Sequence, residues 1–384
     1  MGNIFGNSAK KHKMFEPTKL GELSLRNRFV LASLTRGRSG PSRVPNDANV
    51  EYYRQRATNF GLLLGEAASV SPMGEGWYDS PSLYTAEQMA GWKKVVDAVH
   101  GEGGLIVAQL WHIGRAGHTS FLPNNAQMLS ASDIKIEGDG VYTADTTKQP
   151  HEIPRSMTTD EIDSTILDYK NAVQNCKEAG FDGVELHCAN GYLLDQFLQS
   201  STNKRTDDYG GSVENRFRFI KRVFEEAIFP IFPPSRVGVK LSPNGKFNDM
   251  GSEDNVETFS YVLDEINKMG LAFVQVMIGL EFGYHEKCPA MTLAEIKKHL
   301  PNTPVMANCG YTPETAEEAV ASGKAACVSF GRPTLSNPDM VDRLRDGIPL
   351  ADPLPLDQWF GKEPHRAQPD LGYITGIPAK YSDA

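Results

Sequence analysis

The sequence predicts an α/β protein, a single-domain (β/α)₈ TIM barrel. Eight short β-rich runs follow one another along the chain, and the apolar residues of each are continuous rather than alternating, as expected for parallel strands that are buried on both faces. The segments between them have the periodicity of amphipathic helices. Eight repeats of strand and helix close most naturally into a barrel, and a doubly wound sheet is the weaker alternative.

The predicted strands and two of the helices can be placed by residue. One helix begins at the capping box formed by Thr158 and Glu161, and a second ends near Gly101. The first of these helices carries an apolar stripe in steps of four and three residues, at Ile162, Ile166, Tyr169, Val173 and Cys176. In chain order, the strands are 29–34, 62–68, 105–110, 183–187, 237–241, 273–278, 305–308 and 326–330.

Three segments lie outside the simple alternation. Residues 1–14 are expected to form a flexible N-terminal extension, which leaves 15–350 as the barrel. Residues 117–157 follow strand three and are too long for a plain loop, so a hairpin or lid over the mouth is expected. The tail at 351–384 is rich in proline and should wrap the barrel in extended form.

Composition excludes several classes of protein. The 39 basic and 48 acidic side chains give a net charge of −9, which argues against a nucleic-acid partner. No apolar run reaches the roughly 18 residues that a membrane-spanning helix needs. The five cysteines form no C-x-x-C pair, so a reducing, cytoplasmic location is expected. Gly2 lies in a loose N-myristoylation pattern, but a solvated extension is the stronger interpretation.

Polar side chains occur where the predicted strands end, at the face where barrels carry their chemistry. Lys240 interrupts an apolar strand and calls for an anionic partner, because an uncompensated buried ammonium is costly. No second histidine or carboxylate falls at ligand spacing on the strand of His187, so no metal site is expected there. The other polar residues of this set are Thr35, Gln109, Asn190 and Tyr192.

The last two strands carry the features of a phosphate site. Residues 308–311 follow strand seven, and Gly331 and Arg332 follow strand eight, which supplies backbone amides, small residues and a cation. Thr312 then begins a helix with a proline in its first turn, whose dipole favours an anion.

These residues lie within motifs that resemble the old yellow enzyme family of flavin-dependent ene reductases, including 12-oxophytodienoate reductase-like members. The resemblance extends over residues 15–350. The motifs are Leu25-Arg-Asn-Arg28, Leu34-Thr-Arg36, Gln109-Leu-Trp-His-x-Gly-Arg115, Gly180-Phe-Asp-Gly-Val-Glu-x-His187-x-x-Asn190-Gly-Tyr192, Asn203-x-Arg205-x-Asp-x-Tyr209-Gly-Gly-Ser-x-Glu-Asn-Arg216, and Gly331-Arg332 before Asn337-Pro-Asp339.

The resemblance implies a non-covalent FMN, NAD(P)H as the co-substrate and a set of site residues. His187 and Asn190 would hold the substrate carbonyl, and Tyr192 would donate a proton. The implied pocket residues are Tyr78, Trp111, Phe247 and Phe360. The implied cofactor residues are Ser33, Leu34, Thr35, Ala67, Gln109, Lys240, Cys309, Gly310, Gly331 and Arg332.

Three positions depart from the family pattern. Lys240 stands where most members have arginine, so the charge is kept and the planar fork of donors is lost. Cys309 stands where many members have glycine, so a side chain must fit beside the phosphate loop. Phe360 replaces a tyrosine, which makes the pocket less polar.

The implied substrates are α,β-unsaturated carbonyl compounds, quinones or nitroalkenes. A related flavin barrel that acts as a quinone reductase or demethylase is an alternative. A flavin-free barrel lyase or isomerase is another, and it would use Lys240 as a Schiff-base residue or a pair of carboxylates. A non-catalytic binding barrel would leave His187, Asn190 and Tyr192 without a role. Monomer and homodimer both remain open, as does the identity of the enone.

Overall fold

The computed structural model describes residues 12–279, 283–361 and 370–375. In this part of the chain, eight parallel strands close into a TIM barrel, because strand 8 pairs with strand 1 and strand 3 pairs with strand 4. The fold class predicted from the sequence is confirmed. In chain order, the barrel strands 1 to 8 are Phe29–Leu31, Leu62–Leu64, Ile106–Trp111, Gly183–Cys188, Val237–Leu241, Phe273–Met277, Val305–Asn308 and Cys327–Phe330.

Helices surround the barrel and cover the outer faces of its strands. The capping box of the third helix is present: the Thr158 hydroxyl accepts a hydrogen bond from the Glu161 N–H, and the Glu161 carboxylate accepts one from the Thr158 N–H. The described helices are Asp47–Ala57, Ala86–Gly101, Thr159–Ala179, Leu193–Leu198, Val213–Arg222, Asn255–Met269, Leu293–His299, Pro313–Ala321, Pro333–Ser336 and Met340–Asp346, with a π-helical turn at Val223–Ile228.

A short hairpin closes the amino-terminal end of the barrel, and the sequence analysis did not predict it. Its strands are Thr18–Leu20 and Leu23–Leu25, and the N–H of Glu22 between them donates to the carbonyl of Ser235, just before strand 5. The leucines of the hairpin pack with inward-facing strand residues such as Phe273. The amino-terminal end of the barrel is therefore filled with apolar side chains, and a ligand-binding site is expected at the carboxyl end of the strands.

Strands 1 and 2 end earlier than predicted. Strand 1 stops at Leu31, so residues 32–34 lie in the loop that follows it. Strand 2 stops at Leu64, and a separate short strand, Ala68–Ser69, pairs with strand 3. The consequence is that Ser33, Leu34, Thr35 and Ala67 are loop residues at the mouth of the barrel.

The long insertion after strand 3 contains the expected hairpin. Val141–Tyr142 pairs antiparallel with Lys148–Gln149, and a parallel pair, Leu129–Ser130 with Arg155–Ser156, ties the base of the insertion together. The Tyr142 ring lies edge-on to Trp77, with ring centroids 6.5 Å apart. The hairpin therefore contacts the loops at the mouth.

The described residues of the tail, 351–361 and 370–375, contact the barrel in mainly non-helical form. They contain one 3₁₀ turn, Leu356–Gln358, and no α-helix. The Arg36 guanidinium donates hydrogen bonds to the carbonyls of Trp359 and Gly372, both at 2.7 Å, and Tyr373 is fully buried. Because Arg36 lies in the loop after strand 1, these bonds tie the tail to the carboxyl face.

The N-terminal residues need a correction. The sequence predicts a flexible extension that includes Met14, yet the Met14 side chain is fully buried in the core. The N–H groups of Lys13 and Met14 both donate to the Glu317 carboxylate at 3.0 Å. The ordered chain therefore begins before residue 15. Gly2 lies outside the described residues. No described helix is long and apolar enough to cross a membrane.

Candidate active site

A cavity of about 920 Å³ opens at the carboxyl ends of the barrel strands. It brings together residues from the carboxyl ends of all eight strands or the loops that follow them, and from the tail. All the site residues predicted from the sequence line this cavity except Tyr78: Ser33, Leu34, Thr35, Ala67, Gln109, Trp111, His187, Asn190, Tyr192, Lys240, Phe247, Cys309, Gly310, Gly331, Arg332 and Phe360.

Trp77, and not the adjacent Tyr78, lies at the pocket position predicted for Tyr78. Tyr78 is buried at 1% exposure and is not among the residues that line the cavity, whereas Trp77 is. The two rings stack at 5.4 Å, and Trp77 also contacts Phe360 at 5.5 Å. This corrects the prediction for Tyr78. The only sequence signal was the pair of adjacent aromatic residues, which does not say which of them faces inward.

His187 ends strand 4 as a neutral hydrogen-bond donor. Its Nδ1 accepts a hydrogen bond from the N–H of Ala189 at 3.3 Å, so the proton of the neutral ring sits on Nε2. Burial, together with the nearby charge of Lys240, lowers the pKa of His187 well below its ordinary value. Within the described chain, Nε2 has no hydrogen-bond partner, and the residue lines the cavity.

Asn190 follows in a left-handed backbone conformation with φ 62°, which asparagine tolerates better than most residues. Its N–H donates to the Ser242 hydroxyl and its carbonyl accepts from the Asn248 side chain, both at 2.8 Å. Two contacts from the strand 5 loop thus fix the backbone. The side-chain amide of Asn190 has no partner in the described chain and remains available to a ligand in the cavity.

Tyr192 lies between two aromatic rings. Its ring is edge-on to His187 at 5.0 Å and to Trp111 at 5.2 Å, so both neighbours restrict its orientation. Removal from solvent raises the pKa of Tyr192 to about 12, which keeps the phenol protonated at neutral pH. Among the described residues, its hydroxyl has no hydrogen-bond partner.

Lys240 lies on strand 5 directly beside His187 of strand 4. The residue is 5% exposed and lines the cavity, and it makes no hydrogen bond or ion pair with any described residue. Burial lowers the pKa of Lys240, although the charge of Glu185 opposes that change. A buried cation without a partner fits an electron-rich ligand in the cavity.

Gln109 is held at both ends of its amide. Its Oε1 accepts from the Ser33 hydroxyl at 2.7 Å, and its Nε2 donates to the Glu185 carboxylate at 2.6 Å. Each end keeps one further hydrogen-bonding position. Glu185 is not among the residues predicted from the sequence, although a charged residue inside an apolar strand is the same signal that identifies Lys240.

The ends of strands 7 and 8 form an anion-binding arrangement. Cys309 and Gly310 both have positive φ, 75° and 81°, which turns successive backbone amides toward one side. In the described chain, the N–H groups of Gly310 and Gly331 donate to no other residue. Arg332 lies over the Trp359 ring at 5.6 Å. Free amides and a cation together suit a phosphate group.

These features fit the FMN expected from the sequence. The amide of Gln109 can meet the hydrogen-bonding edge of the flavin ring, Lys240 supplies the positive charge that its pyrimidine side favours, and the free amides suit the phosphate. The described residues contain no cluster of three or more His, Cys, Asp or Glu side chains that could bind a metal ion.

Comparisons with known proteins agree with this geometry. Residues 13–351 match the model of the NADH:flavin oxidoreductase / NADH oxidase family. The chain is 40% identical over 341 residues to 12-oxophytodienoate reductase 1 of Oryza sativa subsp. japonica, which covers 88% of this chain and 87% of the relative.

Two solved structures have the same fold over nearly the whole chain. The old yellow enzyme homologue from Zymomonas mobilis superposes with a TM-score of 0.88 at 35% identity, covering 96% of this chain and 100% of that one. Morphinone reductase in complex with tetrahydroNAD gives a TM-score of 0.87 at 36% identity, covering 97% and 99%.

The fold and the site therefore define an FMN-dependent oxidoreductase that takes its electrons from NAD(P)H. The chain belongs to the NADH:flavin oxidoreductase / NADH oxidase family, and within it to the old yellow enzymes.

Proposed function

We propose that this enzyme is an ene reductase, in which NAD(P)H reduces the FMN and the reduced enzyme then reduces the C=C bond of an α,β-unsaturated carbonyl compound. The observation that carries the proposal is the convergence on one cavity of three groups that have no hydrogen-bond partner among the described residues. They are Nε2–H of His187, the amide of Asn190 and the hydroxyl of Tyr192. The catalytic unit in this account is the barrel together with the tail residues that line the cavity, such as Phe360.

The chemistry that FMN supplies when bound is hydride transfer, in from NAD(P)H and out to the second substrate. Gln109 and Lys240 would bind the pyrimidine edge of the ring, and Ser33, Leu34, Thr35 and Ala67 are proposed as further residues that hold it. At the phosphate end, the residues are Cys309, Gly310, Gly331 and Arg332. All of them line the cavity, which supports their assignment.

His187 and Asn190 would bind the carbonyl oxygen of the substrate. Both are neutral donors: the His187 ring accepts a hydrogen bond from the N–H of Ala189, and the backbone N–H of Asn190 donates to the Ser242 hydroxyl. Two fixed donors stabilise the negative charge that develops on the oxygen when the β-carbon accepts a hydride. This stabilisation makes the conjugated C=C bond reactive, whereas an isolated alkene would gain nothing from the clamp.

Tyr192 would supply the proton for the α-carbon. Its phenol is protonated at neutral pH, and burial raises its pKa further, to about 12. Contacts with Trp111 and His187 orient it. A general acid of this kind must stay protonated until the enolate forms. The expected product is therefore the saturated ketone or aldehyde.

The rim of the cavity favours an apolar substituent on the enone. Trp77, Trp111, Phe247 and Phe360 supply aromatic surface. Quinones and nitroalkenes present a similar acceptor and are proposed as further substrates. The cysteines are free, which fits a cytoplasmic enzyme in a reducing compartment.

The test of this function is the visible spectrum of the purified protein under anaerobic conditions. Addition of NADH or NADPH should bleach the flavin band, and addition of 2-cyclohexenone should restore it with formation of cyclohexanone. A flavin that is reduced by the nicotinamide but reoxidised only by quinones would favour the quinone-reductase alternative. A protein that takes up no FMN would leave Lys240 to be tested as a Schiff-base residue.

A further inference from the structure

Glu185 is a buried carboxylate in the wall of the barrel, one layer below the mouth. It lies on strand 4 two residues before His187 and directly opposite Gln109 of strand 3. It is fully buried and does not line the cavity. Glu185 therefore does not touch a ligand, and any role it has must act through its neighbours.

Its first neighbour is the amide of Gln109. Burial raises the pKa of Glu185 to about 7, so above that pH the group is a carboxylate, which only accepts hydrogen bonds. The nitrogen of the Gln109 amide then faces Glu185, at a short N···O distance of 2.6 Å. The Ser33 hydroxyl donates to the oxygen at the other end. Together, the two contacts select one of the two amide orientations, and they leave one N–H and one lone pair of Gln109 for the cavity.

The second neighbour of Glu185 is Lys240, whose charge acts on the carboxylate. The two residues lie on adjacent strands without forming an ion pair, and Oε1 of Glu185 has no partner in the described chain. Each group nevertheless opposes the effect of burial on the pKa of the other. The carboxylate therefore offsets part of the positive potential that Lys240 creates at this side of the cavity.

We propose that Glu185 is a positioning residue for the flavin, which fixes the Gln109 amide toward the ring and limits the positive field of Lys240. This inference rests on the proposed function in one respect, the assignment of Gln109 and Lys240 to the pyrimidine edge. A reduced flavin carries more negative charge there than an oxidised one, so the carboxylate holds the reduction potential lower than Lys240 alone would set it.

Two substitutions separate the two effects. Glu185→Gln keeps an acceptor for Gln109 and removes the charge, so the midpoint potential at pH 8 should move to a more positive value, while the FMN dissociation constant changes by less than about threefold. Glu185→Leu removes the acceptor as well and leaves a buried N–H of Gln109 without a partner. Its FMN dissociation constant should rise by about tenfold or more.

Asp339→Asn is the matched control. It removes another buried carboxylate, which pairs with Arg343 at 2.9 Å in the outer helices. The potential is measured by equilibration with a reference dye during slow anaerobic reduction, and the dissociation constant by titrating apoprotein with FMN and following the quenching of its fluorescence. The control should lose stability and keep the wild-type potential.

A Glu185→Gln variant that binds FMN with the wild-type potential would overturn the proposal, as would an equal shift in Asp339→Asn. If Glu185→Leu does not fold, the Glu185→Gln result decides alone. Neither measurement uses an enone, so the proposed ene-reductase activity can fail without affecting the outcome for Glu185.

Discussion

The N–H of Ala189 donates a hydrogen bond to Nδ1 of His187 at 3.3 Å, and this contact determines which nitrogen of the ring faces the cavity. The proton of the neutral ring is on Nε2, so His187 offers a donor without carrying a charge. The role proposed for His187 depends on that state, since a neutral donor stabilises a developing oxyanion and does not repel Lys240.

The neutral state of His187 predicts that the rate of enone reduction does not change with pH through titration of this ring. Burial and Lys240 lower the pKa of His187, so the ring is unprotonated at pH values near and above 6.5. The rate of enone reduction by the prereduced enzyme should therefore contain no His187 titration between pH 6 and 8, as measured by single-turnover kinetics. A titration near pH 6.5 that disappears in His187→Asn would contradict this assignment.

Replacing Tyr192 by phenylalanine should separate two classes of substrate. Without the phenol, the α-carbon has no proton donor, so oxidation of the reduced enzyme by 2-cyclohexenone should slow by about 10²- to 10⁴-fold. Reduction of a quinone needs no protonation at carbon and should keep most of its rate. Stopped-flow traces of flavin reoxidation give both values. Tyr78→Phe serves as the control, because Tyr78 does not line the cavity; equal losses in the two variants would argue against a role for the Tyr192 hydroxyl.

The positive φ of Cys309 predicts a stabilising substitution. A side chain at φ 75° is strained, and glycine adopts this conformation without cost. Cys309→Gly should raise the free energy of unfolding by up to about 1 kcal/mol relative to Cys309→Ala, which retains the strain. Urea denaturation of the two apoproteins measures the difference. The account of this loop would be wrong if the alanine variant were the more stable of the two.

The burial of Met14 predicts that the N-terminal segment contributes to stability. Met14→Ala should lower the free energy of unfolding by about 2–5 kcal/mol, because it leaves a cavity in the core. Substitution of the exposed Lys19 by alanine should have an effect within about 0.5 kcal/mol. Denaturant titration tests both. Equal stability of the two variants would restore the view that residue 14 belongs to a flexible extension.

The barrel and most of the site could be predicted because the chemistry leaves a local signal. Lys240 is a charge within an apolar strand, and His187 ends one, so both were found from the strand pattern and the motifs. The hairpin of Thr18–Leu20 and Leu23–Leu25 was missed because strands of three residues are too short to show periodicity.

Other features depend on contacts that a local pattern does not contain. Which of Trp77 and Tyr78 faces the cavity is decided by the loop backbone, where the next residue, Asp79, has φ 50°. The bond between Glu185 and Gln109 joins residues 76 positions apart and exists only because strands 3 and 4 pair in register. The strand ends were misplaced by up to four residues, since apolar loop residues continue the pattern of strands 1 and 2.

The central claim is that His187 and Asn190 activate the enone, and the double variant His187→Ala with Asn190→Ala tests it most directly. The wild type and the variant are loaded with FMN, reduced with dithionite and mixed anaerobically with 2-cyclohexenone, and flavin reoxidation is followed by absorbance. Loss of both donors should slow this step by at least about 10²-fold. Reoxidation of the folded, FMN-loaded variant at the wild-type rate would contradict the account.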